Sequence, residues 1–400
     1  MKLQGPSLLV AVLACFQKIS ASPGNDLYDY QDCRYQCEQI SCENNPYNLV
    51  QDEIYHELIQ NGNVDDYEWH NYNPGWEFTP MPLPWYLNLL KWTCESNCDY
   101  QCQQIVTKER IQDNEEILQF HGKWPFNRIY GTQEFISVLF SLGNLIAHYS
   151  GFKMIKKSIN QNKNTSRSIV NSELYILAII SVITMFAWIF STIFHIRDFL
   201  ITERLDYYFA GLTVLSGFYG IGNRVFKLYL PRRVWLRSLF TLACISAYTA
   251  HVYRLETDWS YTYNMRANIT IGVLQNILWG VSCFKLYNKY YDLEHSNEKS
   301  QNLTHLQFIN PKRIILYSFY SRSPKLYSLY PLLLCVIVIF GMSLEILDFP
   351  PIFYSLIDAH SLWHLVTIFP VYYGWYEWMI WDLNENVWDD LQILRQKKDQ

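Results

Sequence analysis

Beyond about residue 132 the chain is a succession of apolar stretches, near 132–153, 173–194, 206–229, 234–253, 265–285, 327–347 and 359–380. A bilayer's hydrocarbon core is ~30 Å thick, and a helix needs about 20 apolar residues to cross it. A helix also pairs its backbone polar groups within the segment, which lipid demands because it offers no partner for them. The pattern therefore predicts an all-α membrane protein, a seven-transmembrane helix bundle, with the polar first third of the chain as a separate domain. Orientation follows from loop charge. Lys153, Lys156, Lys157, Lys163 and Arg167 follow the first stretch, and Arg224, Lys227, Arg232, Arg233 and Arg237 flank the end of the third. Lys285, Lys289, Lys299, Lys312, Arg313, Arg322 and Lys325 follow the fifth. The alternate connections hold only Arg197 and Arg204, then Arg254 and Arg266, then none. Basic loops stay cytosolic, so the N-terminus is expected in the lumen and the C-terminus in the cytosol.

The first residues agree with that orientation. Lys2, the apolar run Leu8–Phe16 and the small residues Ser20, Ala21 and Ser22 read as a signal peptide over 1–21. The run is too short for a spanning helix. Residues 22–130 are then a lumenal domain, 131–385 the membrane domain and 386–400 a cytosolic tail. The tail carries Lys397 and Lys398, the spacing of a dilysine retrieval signal, which points to the endoplasmic reticulum membrane. Aromatic residues make up 17% of the chain, as suits membrane interfaces. A net charge of −5 gives no footing for nucleic acid.

Six cysteines lie in two triplets, Cys33, Cys37 and Cys42, then Cys94, Cys98 and Cys102. With three or four residues between neighbours, each triplet lies roughly along one helix face. Two antiparallel helices could be stapled as Cys33–Cys102, Cys37–Cys98 and Cys42–Cys94, one of 15 connectivities open to six cysteines. A zinc site is the other reading, disfavoured in an oxidising lumen. The domain is expected to be small, disulfide-rich and mainly helical.

Ionisable groups inside membrane helices are costly and default to functional candidates. Ser191 and His195 lie i,i+4 at the lumenal end of the second stretch, Asp206 opens the third, and His360 and His364, again i,i+4, open the last. Two histidines four apart share a helix face and can hold one metal ion. A third leaves one tetrahedral position open, the pattern of catalytic zinc. Asp206 would then orient or deprotonate water, and Ser191 would donate to a developing oxyanion. A Ser-His-Asp acyl-enzyme with Ser191 as nucleophile is the alternative, but it gives His360 and His364 no task. His148 is read as packing or a helix–helix hydrogen bond.

The segments Phe190–Gly211 (FSTIFHIRDFLITERLDYYFAG), Asp348–His364 (DFPPIFYSLIDAHSLWH) and His121–Phe126 (HGKWPF) resemble the family of GPI-specific phospholipases A2. That family sits in the CREST superfamily of seven-span hydrolases, with alkaline ceramidases and adiponectin-receptor-like proteins. The shared pattern is S-x-x-x-H, an Asp eleven residues on, and H-x-x-x-H, which Ser191, His195, Asp206, His360 and His364 match. The resemblance implies a metal-dependent hydrolase that removes the sn-2 acyl chain from protein-linked GPI anchors, giving lyso-GPI and a fatty acid. GPI-anchored proteins and membrane lipids are then its partners. A ceramidase-like amidase, or a non-catalytic receptor or metal-homeostasis protein with structural zinc, would share the same five residues.

Overall fold

A computed structural model describes residues 22–43, 49–50, 70–163, 167–295 and 319–392. The expected signal peptide, Lys397 and Lys398, and most of the last basic loop lie outside the described residues. The chain divides into two compact units, one of residues up to Glu134 together with Phe349–Asp358, the other of Phe135–Asp348 and the residues from Ala359 onward.

The first unit is built on helices α1 (Tyr28–Cys37), α2 (Trp85–Leu89) and α3 (Cys94–Gln112), with a two-residue parallel pair of β1 (Leu49–Val50) and β2 (His70–Asn71). Helix α3 starts where it does because Thr93 caps it. The Thr93 hydroxyl accepts from the Ser96 backbone N–H at 3.2 Å, and the Ser96 hydroxyl accepts from that of Thr93 at 2.9 Å. A π turn, Glu38–Cys42, extends α1 so that its cysteines run against those of α3. The bridges are Cys33–Cys102, Cys37–Cys98 and Cys42–Cys94. Around them Tyr30, Trp76, Val106 and Phe120 close a core. The sulfurs of Cys42, Cys94 and Cys98 lie close enough together for a metal, but each is already half of a disulfide. None is left as a thiolate ligand.

The HGKWPF segment is pinned to this core. Tyr30 and His121 both hydrogen-bond Asp99. Burial alone would push the Asp99 carboxyl up, but the bonds from His121 and Tyr30, with the charges of His121 and Arg34, hold it below its ordinary value. Arg128 lies over the rings of Tyr100, at 4.0 Å, and Trp92, at 4.6 Å. The unit also takes in Phe349–Asp358, placed by the sequence reading within the membrane domain. The reason is local: the Asn127 backbone N–H donates to the Ser355 carbonyl at 3.0 Å, and the Asn127 amide donates to that of Tyr354 at 2.7 Å. Removing one native bridge from such a unit typically costs ~2–5 kcal/mol. Cys98→Ser is therefore expected to lower steady-state abundance severalfold on quantitative blotting, and unchanged abundance would show that the bridges do not carry the unit's stability.

The second unit is helical. Its long elements are α4 (Phe135–Asn162), α5 (Ser168–Ile196), α6 (Leu200–Val225), α7 (Val234–Thr257) and α8 (Tyr261–His295). After these come α9 (Pro324–Ser328), α10 (Tyr330–Leu347), α11 (Ala359–Pro370) and α12 (Tyr376–Asp382). Helix α4 packs on α5, α5 on α6, α6 on α8, and α10 on α11, which returns to α4. Four stretches are long and apolar enough to cross a membrane: Phe135–Asn162, Ser168–Ile196, Tyr261–His295 and Pro324–Leu347. Their outer faces expose Ile146, Ile179, Ile277, Val336 and Phe340, an apolar surface suited to lipid.

The other three expected segments are also helical, with physical reasons for their weaker signal. Helix α6 carries Glu203, Arg204 and Asp206 in its first turns, and α7 carries Arg237 and Arg254. The last stretch, expected unbroken over 359–380, is interrupted. Pro370 ends α11, a π turn follows over Val371–Trp375, and Gly374 sits at φ 136°, which only glycine adopts without strain. Gly151 on α4 is needed for a different reason: a Cβ there would lie 2.0 Å from the Tyr376 ring. That close approach lets the Tyr376 hydroxyl meet His148 Nδ1 at 2.8 Å.

Two clusters of buried side chains fill the unit. One gathers Ile221, Trp279, Tyr327, Tyr330 and Trp378, the other Ile155, Ile159, Leu174 and Tyr376. A polar clasp closes one end, where α6 and α12 finish. Arg224 grips Asp382 with two bonds, at 2.5 and 2.9 Å, and Lys227 and Tyr229 share Asp390. Those two partners hold the Asp390 carboxyl low against the upward push of burial.

Candidate metal centre

The opposite ends of the helices carry the polar residues singled out in the sequence. His195 lies in the last turn of α5 with Ser191 one turn before it, and both are buried. His360 and His364 occupy the first turns of α11, His364 buried and His360 partly exposed. An i,i+4 pair on one helix face can converge only if its rings are held, and here they are. The two Nε2 atoms approach to 2.8 Å, and one donor atom from each of His195, His360 and His364 lies within 4.8 Å of the others. The His195 ring centre stands 5.1 Å from that of His364 and 5.3 Å from that of His360.

This donor set fits a zinc ion. Tetrahedral zinc with Zn–N bonds of ~2.0–2.1 Å needs ligand nitrogens about 3.3 Å apart. The 2.8 Å between the two Nε2 atoms and the 4.8 Å within which all three donors lie leave room for that spacing, and neutral imidazoles are zinc's habitual nitrogen ligands. In both members of the α11 pair the second ring nitrogen is engaged elsewhere. His364 Nδ1 meets the Ser141 hydroxyl at 2.9 Å, and His360 Nδ1 meets the Glu345 carboxylate at 2.6 Å. Each Nε2 is thereby the nitrogen turned to the shared point.

Ser141 does more than hold His364. Its oxygen is also 3.1 Å from that of Ser191, so one hydroxyl joins a histidine of α11 to the serine of α5. Asn144, one turn along α4, donates to the His364 carbonyl at 2.7 Å and ties the start of α11 to α4. Trp188 closes on the His364 ring edge-on, at 5.2 Å between ring centres. Asp206 lies two turns into α6, partly buried, and is not one of the three groups that share the metal point. Only Arg197–Phe199 separate the His195 end of α5 from the start of α6, so Asp206 lies toward that end of the unit.

The sequence therefore names the three histidines and Ser191, which the fold gathers, and Asp206, which stands in the first turns of the next helix. It passes over Ser141, Asn144, Glu345 and Tyr261. Glu345 gave a usable signal, a carboxylate within the apolar run SLEIL. Ser141 and Asn144 gave a weaker one, two small polar residues three apart in an otherwise apolar stretch.

The sequence pattern of the Per1-like family matches residues 84–383. Protein PER1 of Saccharomyces cerevisiae is 38% identical over 382 residues, which cover 94% of each chain. Post-GPI attachment to proteins factor 3 of Drosophila melanogaster is 29% identical, covering 89% of this chain and 87% of its own. The GPI-specific phospholipase A2-like PGAP3 of Mus musculus is 30% identical, covering 71% of this chain and 75% of its own. No solved structure matches.

Proposed function

We propose, from the premise that this chain belongs to the Per1-like family, that it hydrolyses the lipid of GPI anchors after their attachment to protein. The observation that carries the reading is the convergence of His195, His360 and His364, with Ser191 joined to His364 through Ser141, in a helical unit with four stretches long and apolar enough to cross a membrane. The relatives' names supply the substrate class: a post-attachment factor in one case, a GPI-specific phospholipase A2-like protein in another. The bond cut is the sn-2 ester of a diacyl anchor, and water divides it into lyso-GPI and a fatty acid.

In this reading the unit has seven spans, α11 and α12 together forming the last, and the site opens to the lumen of the endoplasmic reticulum. Loop charge and the N-terminal signal support that orientation, and the lysines near the C-terminus support that compartment. Zinc held by the three imidazoles would supply Lewis-acid chemistry, polarising the ester carbonyl and acidifying water. The chain's own groups do the rest. Asp206 takes the proton of the attacking water. Ser141 accepts from His364 Nδ1–H and donates to Ser191, so that the Ser191 hydrogen is turned outward, toward the oxyanion. The exposed apolar faces of the helices give the acyl chain a path from the bilayer.

Cells lacking the protein are expected to keep the original sn-2 chain on their GPI-anchored proteins. Re-expressed wild type should restore the exchange and Asp206→Ala should not, as read by mass spectrometry of released anchors. Normal remodelling in deletion cells, or full rescue by Asp206→Ala, would refute the proposal.

A further inference from the structure

We infer that Glu345 is a positioning residue for His360, itself held by Tyr261, and that this pair sets how tightly the centre keeps its metal. The inference rests on reading the three histidines as metal ligands. Helix α10 is strongly apolar until its last turn, where Glu345 brings a carboxylate whose side chain is only 13% exposed. A carboxylate so placed needs a donor at each oxygen. It has one from each of two other helices: His360 Nδ1–H on α11 donates to Oε2 at 2.6 Å, and the Tyr261 hydroxyl on α8 donates to Oε1 at 2.9 Å.

The consequence for His360 is specific. An ionised carboxylate only accepts, so the ring hydrogen belongs on Nδ1 and the lone pair on Nε2, the atom 2.8 Å from His364 Nε2. The contact fixes the tautomer, the ring angle and the basicity of the ligand together. His364 is held differently, by the neutral Ser141 hydroxyl, which can donate as well as accept. Of the two, only His360 is bound by a partner that permits one tautomer. His360 is also the more exposed of the pair, at 35% against a buried His364, and so the ligand that most needs an anchor. Tyr261 does for Glu345 what Glu345 does for His360. It occupies the second oxygen and stops the carboxylate from turning away.

The test uses the full-length protein, purified in detergent and loaded with zinc, then titrated against a chelator with bound metal counted by elemental analysis. Loss of an outer partner of a metal-bound histidine typically weakens the site 10–100-fold. Glu345→Gln, which keeps shape and removes charge, is expected to release zinc at about 10–100-fold lower chelator concentration than wild type. Tyr261→Phe should shift release by a few-fold in the same direction, and His360→Ala should hold none. Wild-type and Glu345→Gln proteins stripped of metal should unfold at the same temperature, because the residue acts on the ligand. Wild-type retention in Glu345→Gln would overturn the inference. Complete loss in that variant, as in His360→Ala, would make Glu345 a ligand and overturn it too. Equal destabilisation of the stripped protein would make its role structural. A wild type that binds no zinc at all would instead sink the metal reading of the centre itself, and this inference with it.

Discussion

Alanine at His195, His360 or His364 is expected to empty the centre of metal and reduce lipid hydrolysis below detection. A catalytic zinc site holds its ion through three protein ligands and leaves the fourth position to water. With any one imidazole gone, the two that remain cannot sustain occupancy. The histidines are not interchangeable in what else they do, which sharpens the test. His364 is also bonded to Ser141, so its removal disturbs Ser191 as well as the metal, and removal of His360 also takes a donor from the Glu345 carboxylate. Metal content and turnover measured on the same purified variants check this. Full zinc occupancy with full activity in His360→Ala would end the metal mechanism.

The second large effect separates chemistry from metal binding. Asp206→Asn is expected to keep zinc and lose turnover by roughly 10²–10⁴-fold, the usual worth of a positioned general base. The amide preserves shape but cannot take a proton from water. Ser191→Ala should also keep zinc and lose about 10²–10³-fold, the usual cost of one oxyanion donor. An acyl-enzyme through Ser191 predicts something else: an inactive Ser191→Ala and a covalent acyl adduct on the wild type, visible by intact-protein mass spectrometry. Loss of zinc in Asp206→Asn would place that carboxylate among the ligands and overturn its role as base.

What the sequence made legible follows from what membranes penalise. Histidines and an aspartate inside apolar stretches stand out because each costs free energy there, so His195, Asp206, His360 and His364 could be read directly. Ser141 and Asn144 cost little in a helix, where each can bond a carbonyl of the preceding turn, as Asn144 does with Phe140. Their spacing in the apolar stretch is only a faint mark, because their roles exist only once α11 packs on α4. Glu345 falls between these cases. It is costly, but three residues before the Asp348 that ends its helix it passes for an interfacial charge. The break at Pro370 and Gly374 was legible only in part. A proline can kink a spanning helix and leave it one element, and the positive φ of Gly374 cannot be read from a glycine's presence.

The return of Phe349–Asp358 to the N-terminal unit has a consequence for the timing of synthesis. The cysteines of that unit are complete once residue 102 has been made, so oxidation can begin while most of the chain is still unwritten. Its final segment is translated only after α10, when nearly every membrane helix has already left the ribosome. The unit is thus opened early and finished late. Through that interval the backbone and side-chain amide of Asn127 wait for the carbonyls of Ser355 and Tyr354. The stretch that completes the unit leads, two residues after Asp358, straight into His360, so the last step of one unit's closure is joined in the chain to the candidate metal centre of the other.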